Sequence, residues 1–136
     1  MVYRPTDRAR QQPQQLEFEE SQIGPDATGR LFRKPVAVLI GPGTFSAAED
    51  FAAAWKMMKR GLTIGTASGG STGQPLVLAL PGGGGMRICT KRDRFANGDE
   101  FVGIGVKPDI EVRQTLEDFR AGRDAVLERA IAELSR

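Results

Sequence analysis

Ser46 is the residue of this sequence that is best placed to do chemistry. It follows the apolar run of residues 35–40 and the turn of residues 41–44, and an apolar-periodic run begins at residue 47. The pattern predicts a serine at the point where a buried strand turns into a helix. The free backbone N–H groups of a helix start can stabilise an oxyanion beside such a hydroxyl, as they do for many serine nucleophiles.

A purely structural interpretation of Ser46 stays open beside the catalytic one. Ser46-Ala-Ala-Glu49 fits the capping-box pattern, in which the serine hydroxyl accepts from the Glu49 N–H and the glutamate side chain reaches back. A nucleophile also needs a base, normally histidine or lysine. The sequence has no histidine, and spacing alone places none of its lysines beside the serine; these are Lys34, Lys56, Lys59, Lys91 and Lys107.

The composition is that of one globular domain, or of a piece of a larger protein. The 136 residues are 40% hydrophobic and 26% charged, and they carry a formal charge of only +2, from 19 basic and 17 acidic side chains. That balance argues against binding to nucleic acid or to an anionic membrane. The single cysteine, Cys89, excludes an internal disulfide, and we interpret it as a small strand residue.

The sequence also lacks the patterns that mark other classes of protein. No metal-ligating cluster is apparent, and no apolar run approaches the roughly 20 residues of a membrane span. Residues 1–8 lack the apolar core of a signal peptide, so the sequence alone assigns no compartment.

An ordered α/β pattern begins near residue 34, after a polar stretch, residues 1–33, that we interpret as a surface segment or linker. Residues 36–40 and 62–66 are predicted as short buried strands, and residues 47–59 as the helix that joins them. The three elements predict a βαβ unit with parallel strands and a right-handed crossover. The helix residues expected to face the core, at helical spacing, are Ala47, Phe51, Ala54, Trp55 and Met58.

A hairpin and a C-terminal helix complete the prediction. Residues 75–80 and 86–92 are predicted to pair around a run of four glycines. No lysine or helix start follows these glycines, so they suit a flexible connection and not a phosphate-binding loop. Residues 110–112 are predicted as a short extended piece, residues 115–119 as a helical turn and residues 124–134 as a helix. The apolar stripe of that helix is Val126, Leu127, Ala130, Ile131 and Leu134.

Residues 35–49 resemble the nucleophile motif of the tail-specific, or C-terminal processing, serine peptidases, the relatives of tricorn and of the interphotoreceptor retinoid-binding protein. Further motifs follow in the family's order, at residues 60–65, 68–74, 80–84 and 103–112, the last with the form Gly-x-x-Pro-Asp-x-x-Val. The resemblance implies that residues 34–136 are the C-terminal portion of the family's catalytic domain. It also implies an α/β fold of the ClpP/crotonase type, a β/α spiral, of which this chain carries only part.

The resemblance implies roles for particular residues. Ser46 is then the nucleophile, the Ala47 backbone N–H an oxyanion donor, and Glu100 a candidate orienting carboxylate. Glu49 is expected to shape the helix start and not to take part in catalysis. The loop expected near the site contains Ser68, Gly70, Ser71 and Gln74.

The general base is where this chain departs from the family. The processing peptidases pair the serine with a lysine 25 residues later, and that count ends at Ser71. The tricorn-like branch instead takes a histidine from the other half of its domain. We therefore expect this chain alone to be inactive and the base to lie in the N-terminal half of the catalytic domain, outside these residues.

Partners and alternatives follow from the same resemblance. The expected partners are a peptide or protein substrate, the absent N-terminal half and a possible second copy that covers exposed sheet edges, with no cofactor and no metal. The family is often extracytoplasmic or periplasmic. The alternative function is a noncatalytic ligand- or peptide-binding module on the same scaffold.

Overall fold

A three-stranded parallel sheet lies at the centre of the chain in the computed structural model, which describes residues 28–136 and the backbone of two short strands before them. Those two strands, β1 (Val2–Arg4) and β2 (Glu17–Glu19), pair in antiparallel fashion, with Val2 opposite Glu19. The interpretation of residues 1–33 as a polar surface segment falls mostly outside the described residues.

The predicted βαβ unit with parallel strands is confirmed, and the right-handed crossover stays a prediction. Strand β3 (Val38–Ile40) leads through helix α1 (Ala47–Met58) to strand β4 (Thr63–Gly65), and the two strands are parallel, with Leu39 opposite Ile64. Strand β7 (Ile110–Glu111) pairs with the other edge of β4, also parallel, which gives the order β3-β4-β7. Because parallel strands end at the same edge of a sheet, the segments that follow β3 and β4 are brought together.

The face of α1 that packs inward differs from the predicted one. Glu49, Ala52 and Ala53 are buried, whereas Phe51 and Met58 are 54% and 52% exposed. The two alanines take the inner positions, in one buried cluster with Ile40, Phe101 and Val106. Phe51 and Met58, which the periodicity assigned to the core, lie on the outer side, and Trp55 is half-buried.

The core beneath α1 is closed by the segment that precedes β7. Phe101 and Val106 are buried in one cluster with Ile40, Ala52 and Ala53, and the half-buried Val38 and Phe95 pack against it. The rings of Phe95 and Phe101 lie 5.0 Å apart between centroids in a tilted arrangement. The closing segment is thus part of the core and fixes its own position relative to α1.

The predicted hairpin is also confirmed. Strand β5 (Pro75–Ala79) pairs with β6 (Gly85–Cys89) in antiparallel register, with Leu76 opposite Ile88, and a short 3₁₀ turn (Pro81–Gly83) connects them. The glycine run serves as the connection. Cys89 is the last residue of β6, as its interpretation as a strand residue requires.

Two helices follow β7. Helix α2 (Leu116–Arg120) begins with a capping box between Thr115 and Asp118, and helix α3 (Ala125–Leu134) is capped by Asp124. Helix α3 packs on β3 and β4 through the buried Ala130, but three residues of its predicted apolar stripe remain exposed: Leu127, Ile131 and Leu134. In the described part of the chain, no helix is long and apolar enough to cross a membrane.

Candidate active site

Ser46 occupies a strained turn between β3 and α1. Its backbone angles are φ 56° and ψ −128°, a region that favours glycine and is costly for residues with a side chain. Its N–H donates to the Ser71 carbonyl at 2.9 Å, and its carbonyl accepts from the N–H groups of Glu49 and Asp50 at 2.8 and 3.1 Å. Backbone contacts on both sides therefore hold the turn, which matches the sharp strand-to-helix elbow of known serine nucleophiles.

The capping-box interpretation of Ser46 is wrong. The serine side chain makes no hydrogen bond to the helix start. The Glu49 carboxylate, which that interpretation directs back to Ser46, is fully buried and bonds elsewhere. The Ser46 hydroxyl is consequently left out of the helix cap.

Glu49 anchors the loop that follows β4. One carboxylate oxygen, Oε1, accepts from the Ser68 hydroxyl at 2.5 Å and from the Gly70 N–H at 2.6 Å. The other, Oε2, accepts from the Ser71 N–H at 2.7 Å. The expectation that Glu49 is structural agrees with these contacts, but its partners are on the loop and not at the helix start. Spacing could not identify them, because they lie 19 to 22 residues away.

Ser68 links Glu49 to the closing segment, the residues before β7. Its hydroxyl accepts from the Val106 N–H at 2.6 Å, while its own N–H donates to the Val106 carbonyl at 3.1 Å. The loop after β4 and the segment before β7 are therefore joined through one buried side chain. Helix α1, the loop and the closing segment form a single hydrogen-bonded unit behind Ser46.

Two glycines allow the loop and the closing segment to touch. Gly70 and Gly105 have φ of 66° and 88°, and a Cβ at Gly105 would lie 2.2 Å from the Ser68 carbonyl oxygen. The Gly103 N–H donates to the Gly70 carbonyl at 2.7 Å across the same contact. The close backbone approach accounts for Gly105 of the closing motif, and a positive φ of 83° accounts for Gly103.

Ala47 is the first residue of α1. The next three N–H groups are used within the turn, in bonds to Phe45 and Ser46. Among the described residues, the Ala47 N–H has no acceptor. A donor left free beside the serine hydroxyl is the arrangement that oxyanion stabilisation requires, and the role of Ala47 stays a prediction.

The remaining predicted site residues divide into two groups. Ser68, Gly70 and Ser71 gather around Glu49, as described above. Gln74 lies just beyond, exposed, with a positive φ of 44°, and its carbonyl accepts from the Thr90 hydroxyl at 2.7 Å. Its backbone is strained, and its side chain is not part of the Glu49 contacts.

Glu100 is paired with arginines. Its carboxylate lies 2.5 Å from a guanidinium nitrogen of Arg92 and 3.1 Å from one of Arg94. No described contact joins it to Ser46. Its role as an orienting carboxylate therefore stays a prediction.

Asp109 belongs to the closing motif, and its partners could not be found from the sequence. Its carboxylate accepts from the Thr63 N–H at 2.8 Å and from the Thr63 hydroxyl at 2.7 Å, and it pairs with the Lys56 ammonium. Burial works against its ionisation, but these three hydrogen bonds outweigh burial and hold the pKa of Asp109 below its ordinary value. The motif's aspartate thus ties β7 to β4 and to α1.

A cavity of about 640 Å³ opens at the edge of the sheet where β3 and β4 end. Pro42, from the turn before Ser46, and Thr66 and Ala67, from the segment after β4, form part of its wall. The rest comes from Lys107, Pro108, Glu111 and Arg113. No group of three or more His, Cys, Asp or Glu side chains suited to a metal ion occurs within the described residues.

Comparisons with known proteins point to one family. The sequence profile of peptidase family S41 matches residues 2–112. A carboxy-terminal-processing protease of Bartonella bacilliformis is 36% identical over 94 residues, which are 69% of this chain and 22% of that protein.

Solved structures agree in fold. A protein of Parabacteroides merdae, solved as a candidate peptidase, superposes with a TM-score of 0.67 at 31% identity, over 76% of this chain and 32% of its own. The tricorn protease superposes at 0.66 and 22% identity, over 86% of this chain and 13% of its own, a likeness of fold alone. The mixed α/β arrangement with a parallel sheet agrees with these neighbours, and the β/α spiral stays a prediction. This chain spans about a third of the length of these proteins, or less.

Proposed function

Because this chain belongs to peptidase family S41, we propose that Ser46 is the nucleophile of a serine peptidase that acts on peptide or protein substrates. The observation that carries the proposal is the conformation of Ser46. A serine with φ 56° is costly to maintain, and its hydroxyl is not used to cap the helix that it begins. Strain of this kind, held by surrounding contacts, is characteristic of reactive sites.

The chemistry follows from the position of the hydroxyl. Ser46 Oγ attacks the carbonyl carbon of the scissile peptide bond while its proton passes to a general base. The Ala47 N–H stabilises the oxygen that becomes negative. The C–N bond then breaks, the amine leaves with the proton from the base, and an acyl-enzyme remains, which water hydrolyses in the same way.

The general base comes from outside these 136 residues. The sequence contains no histidine, and the family's lysine position is Ser71. The most buried lysine near the loop is Lys91, whose ammonium lies between the carboxylates of Asp50 and Asp93. Both carboxylates engage the ammonium, and no described contact joins it to Ser46. The chain alone is therefore inactive.

The exposed apolar surface around the site supports a covering partner. Phe45 in the turn before Ser46 and Phe51 and Met58 on the outer face of α1 are all more than half exposed. Apolar side chains concentrated on one helix and its leading turn mark a surface that is covered in the working protein. The N-terminal half of the catalytic domain is the partner that would both cover it and supply the base.

The substrate would lie as an extended peptide segment, unfolded or at a chain end, beside the cavity where β3 and β4 end. Strand edges bind such segments through main-chain hydrogen bonds. The lack of an internal base gives weight to one alternative, a noncatalytic peptide- or ligand-binding module on the same scaffold.

Labelling with a fluorophosphonate probe tests the proposal in the longer polypeptide that contains these residues. We expect covalent labelling of the wild type and its loss in Ser46→Ala, with full labelling retained in the control Ser135→Ala, a serine at the end of α3. An unlabelled wild type would favour the binding module.

A second measurement concerns the 136-residue chain alone. We expect no hydrolysis of unfolded protein substrates above that of Ser46→Ala. Turnover that depends on Ser46 in this chain would show that the base lies within it.

A further inference from the structure

A ring of four side chains connects helix α1 to residues 66–74, the loop that follows β4, which we call the site loop. Lys91 Nζ is 3.0 Å from Asp93 Oδ1 and 3.6 Å from Asp50 Oδ2. The Thr72 hydroxyl is 3.1 Å from Asp50 Oδ1 and 3.2 Å from Asp93 Oδ2. We call these residues, Asp50, Thr72, Lys91 and Asp93, the Lys91 cluster.

Three of the four residues of the cluster are withdrawn from water. Thr72 and Asp93 are buried and the Lys91 side chain is 15% exposed, whereas the Asp50 side chain is 42% exposed. A threonine hydroxyl has one proton to donate, so it cannot satisfy both carboxylates fully. The lysine ammonium supplies the positive charge that allows Asp50 and Asp93 to lie on either side of the same hydroxyl.

Thr72 connects the cluster to the nucleophile through one peptide group. The Ser71 carbonyl, which accepts the Ser46 N–H at 2.9 Å, belongs to the same planar unit as the Thr72 nitrogen. Holding Thr72 therefore sets the direction in which that carbonyl points.

Two successive residues of α1 therefore bind the loop next to the Ser71–Thr72 peptide, one on each side of it. Glu49 binds the Ser71 N–H at 2.7 Å, and Asp50 belongs to the cluster that binds the Thr72 side chain. A strained backbone conformation such as that of Ser46, with φ 56°, is maintained only where several surrounding contacts hold it. Glu49 anchors only the preceding peptide unit, through the Ser71 N–H, and leaves the Ser71–Thr72 peptide free to turn about the Ser71 Cα–C bond.

We propose that Lys91 is a positioning residue for Ser46: its ammonium holds Asp50 and Asp93 around Thr72 and so fixes the carbonyl that receives the Ser46 N–H. Lys91 does not touch the reacting atoms. The inference deepens the proposed function, because it concerns the same serine, but it is tested on the backbone and not through catalysis.

Amide hydrogen exchange of the Ser46 N–H, followed by NMR, tests this inference. In Lys91→Met, which keeps most of the side chain's length and loses its charge, we expect exchange to be faster by about tenfold or more, since a broken buried ion pair favours local opening. Lys91→Arg retains a cation and should restore slow exchange. Lys34→Met replaces an exposed lysine outside these contacts; it is the matched control and should leave Ser46 exchange unchanged.

The Ser135 N–H, bonded to the Ile131 carbonyl in α3 at 3.0 Å, serves as the internal reference. Unchanged Ser46 exchange in Lys91→Met, or an equal rise at Ser135, would overturn the inference. If Lys91→Met does not fold, Thr72→Val removes only the hydroxyl and should accelerate Ser46 exchange in the same way.

The outcomes separate this inference from the proposed function. If Ser46 in the longer polypeptide reacts with fluorophosphonate and Lys91→Met slows that labelling while Lys91→Arg restores it, both stand. If labelling is unaffected by Lys91→Met, the positioning role fails and the nucleophile stands. If Ser46 is never labelled, the proposed function fails, and the exchange rates alone decide the role of Lys91.

Discussion

The backbone of Ser46 is where this protein departs most from ordinary chain geometry. An unfavourable conformation must be stabilised by the contacts around it, and here these are the Ser71 carbonyl in front and the first turn of α1 behind. The conformational free energy that the turn costs arises at Ser46 and can be measured by substituting that residue.

Replacing Ser46 by glycine should relieve the strain that alanine retains. Both variants lack the hydroxyl, but only glycine adopts φ 56° without steric cost. We expect the free energy of unfolding of Ser46→Gly to exceed that of Ser46→Ala by about 1 kcal/mol, after the greater chain entropy of glycine is subtracted. Urea unfolding measures both.

Ser135 provides the comparison for that pair, because its φ of −94° suits any residue. There glycine should be no more stable than alanine. An advantage of glycine at Ser135 as large as at Ser46 would mean that strain does not explain the difference.

Glu49 should be among the most costly side chains to remove. Glu49→Ala leaves the Ser68 hydroxyl and the N–H groups of Gly70 and Ser71 without their buried acceptor. We expect a loss of about 3 kcal/mol or more in the free energy of unfolding, measured with urea, against well under 1 kcal/mol for the exposed control Glu128→Ala. Similar small losses in both would contradict the anchoring role of Glu49.

At the scale of elements, the loop after β4 and the segment before β7 are held together by backbone contact. Gly105 lies against the Ser68 carbonyl, whereas Gly103, with a similar φ of 83°, has open space where a Cβ would be. Comparing substitutions at Gly103 and Gly105 therefore distinguishes the cost of a positive φ from the cost of a steric clash with the neighbouring backbone.

We therefore expect Gly105→Ala to destabilise the protein more than Gly103→Ala. Both substitutions incur the cost of positive φ, roughly 1 kcal/mol, and only the first also forces two backbone segments apart. Thermal unfolding of the two variants beside the wild type measures the difference. Equal losses would show that the segments separate without resistance.

At the scale of the whole molecule, the lowered pKa values of Asp109 and Asp118 determine how its stability should change in acid. Hydrogen bonds from Arg123 and then from the Thr115 hydroxyl and N–H lower the pKa of Asp118 to about 2, and Asp109 is lowered as well. A carboxyl with a lowered pKa in the folded state stabilises the protein above its ordinary pKa. That contribution is lost as the pH falls through the folded value.

We expect the free energy of unfolding to fall between pH values of about 4 and 2, and Asp118→Asn to flatten that fall. The variant should be less stable than the wild type at pH 7, and the difference should shrink toward pH 2 as the wild-type carboxyl is protonated. Urea unfolding across this range measures it. If the difference in unfolding free energy between Asp118→Asn and the wild type stayed constant with pH, the ionisation of Asp118 would not explain the effect of the substitution.

Much of this architecture could be predicted from the sequence. The strands, the helices and the hairpin follow from apolar period and glycine, because these are local properties of the chain. The inner face of α1 could not be predicted from the same period, since Ala52 is buried by Phe101 and Val106, which lie about 50 residues further along the chain.

The site was harder to predict than the elements. The strand-to-helix junction at Ser46 could be predicted, but the burial of Glu49 and its bonds to Ser68 and Ser71 depend on contacts far apart in sequence. A single motif, Ser-x-x-Glu, is compatible with a cap and with a loop anchor, and only the fold decides between them.

The site loop holds position 71 entirely by its backbone: the N–H binds Glu49 and the carbonyl receives Ser46, while the Ser71 residue is exposed. The identity of this side chain is consequently independent of the architecture around it. At position 71 the backbone makes the contacts to Glu49 and Ser46, and no described contact involves the Ser71 side chain. We therefore expect a lysine at position 71 to be accommodated without any change in these backbone contacts.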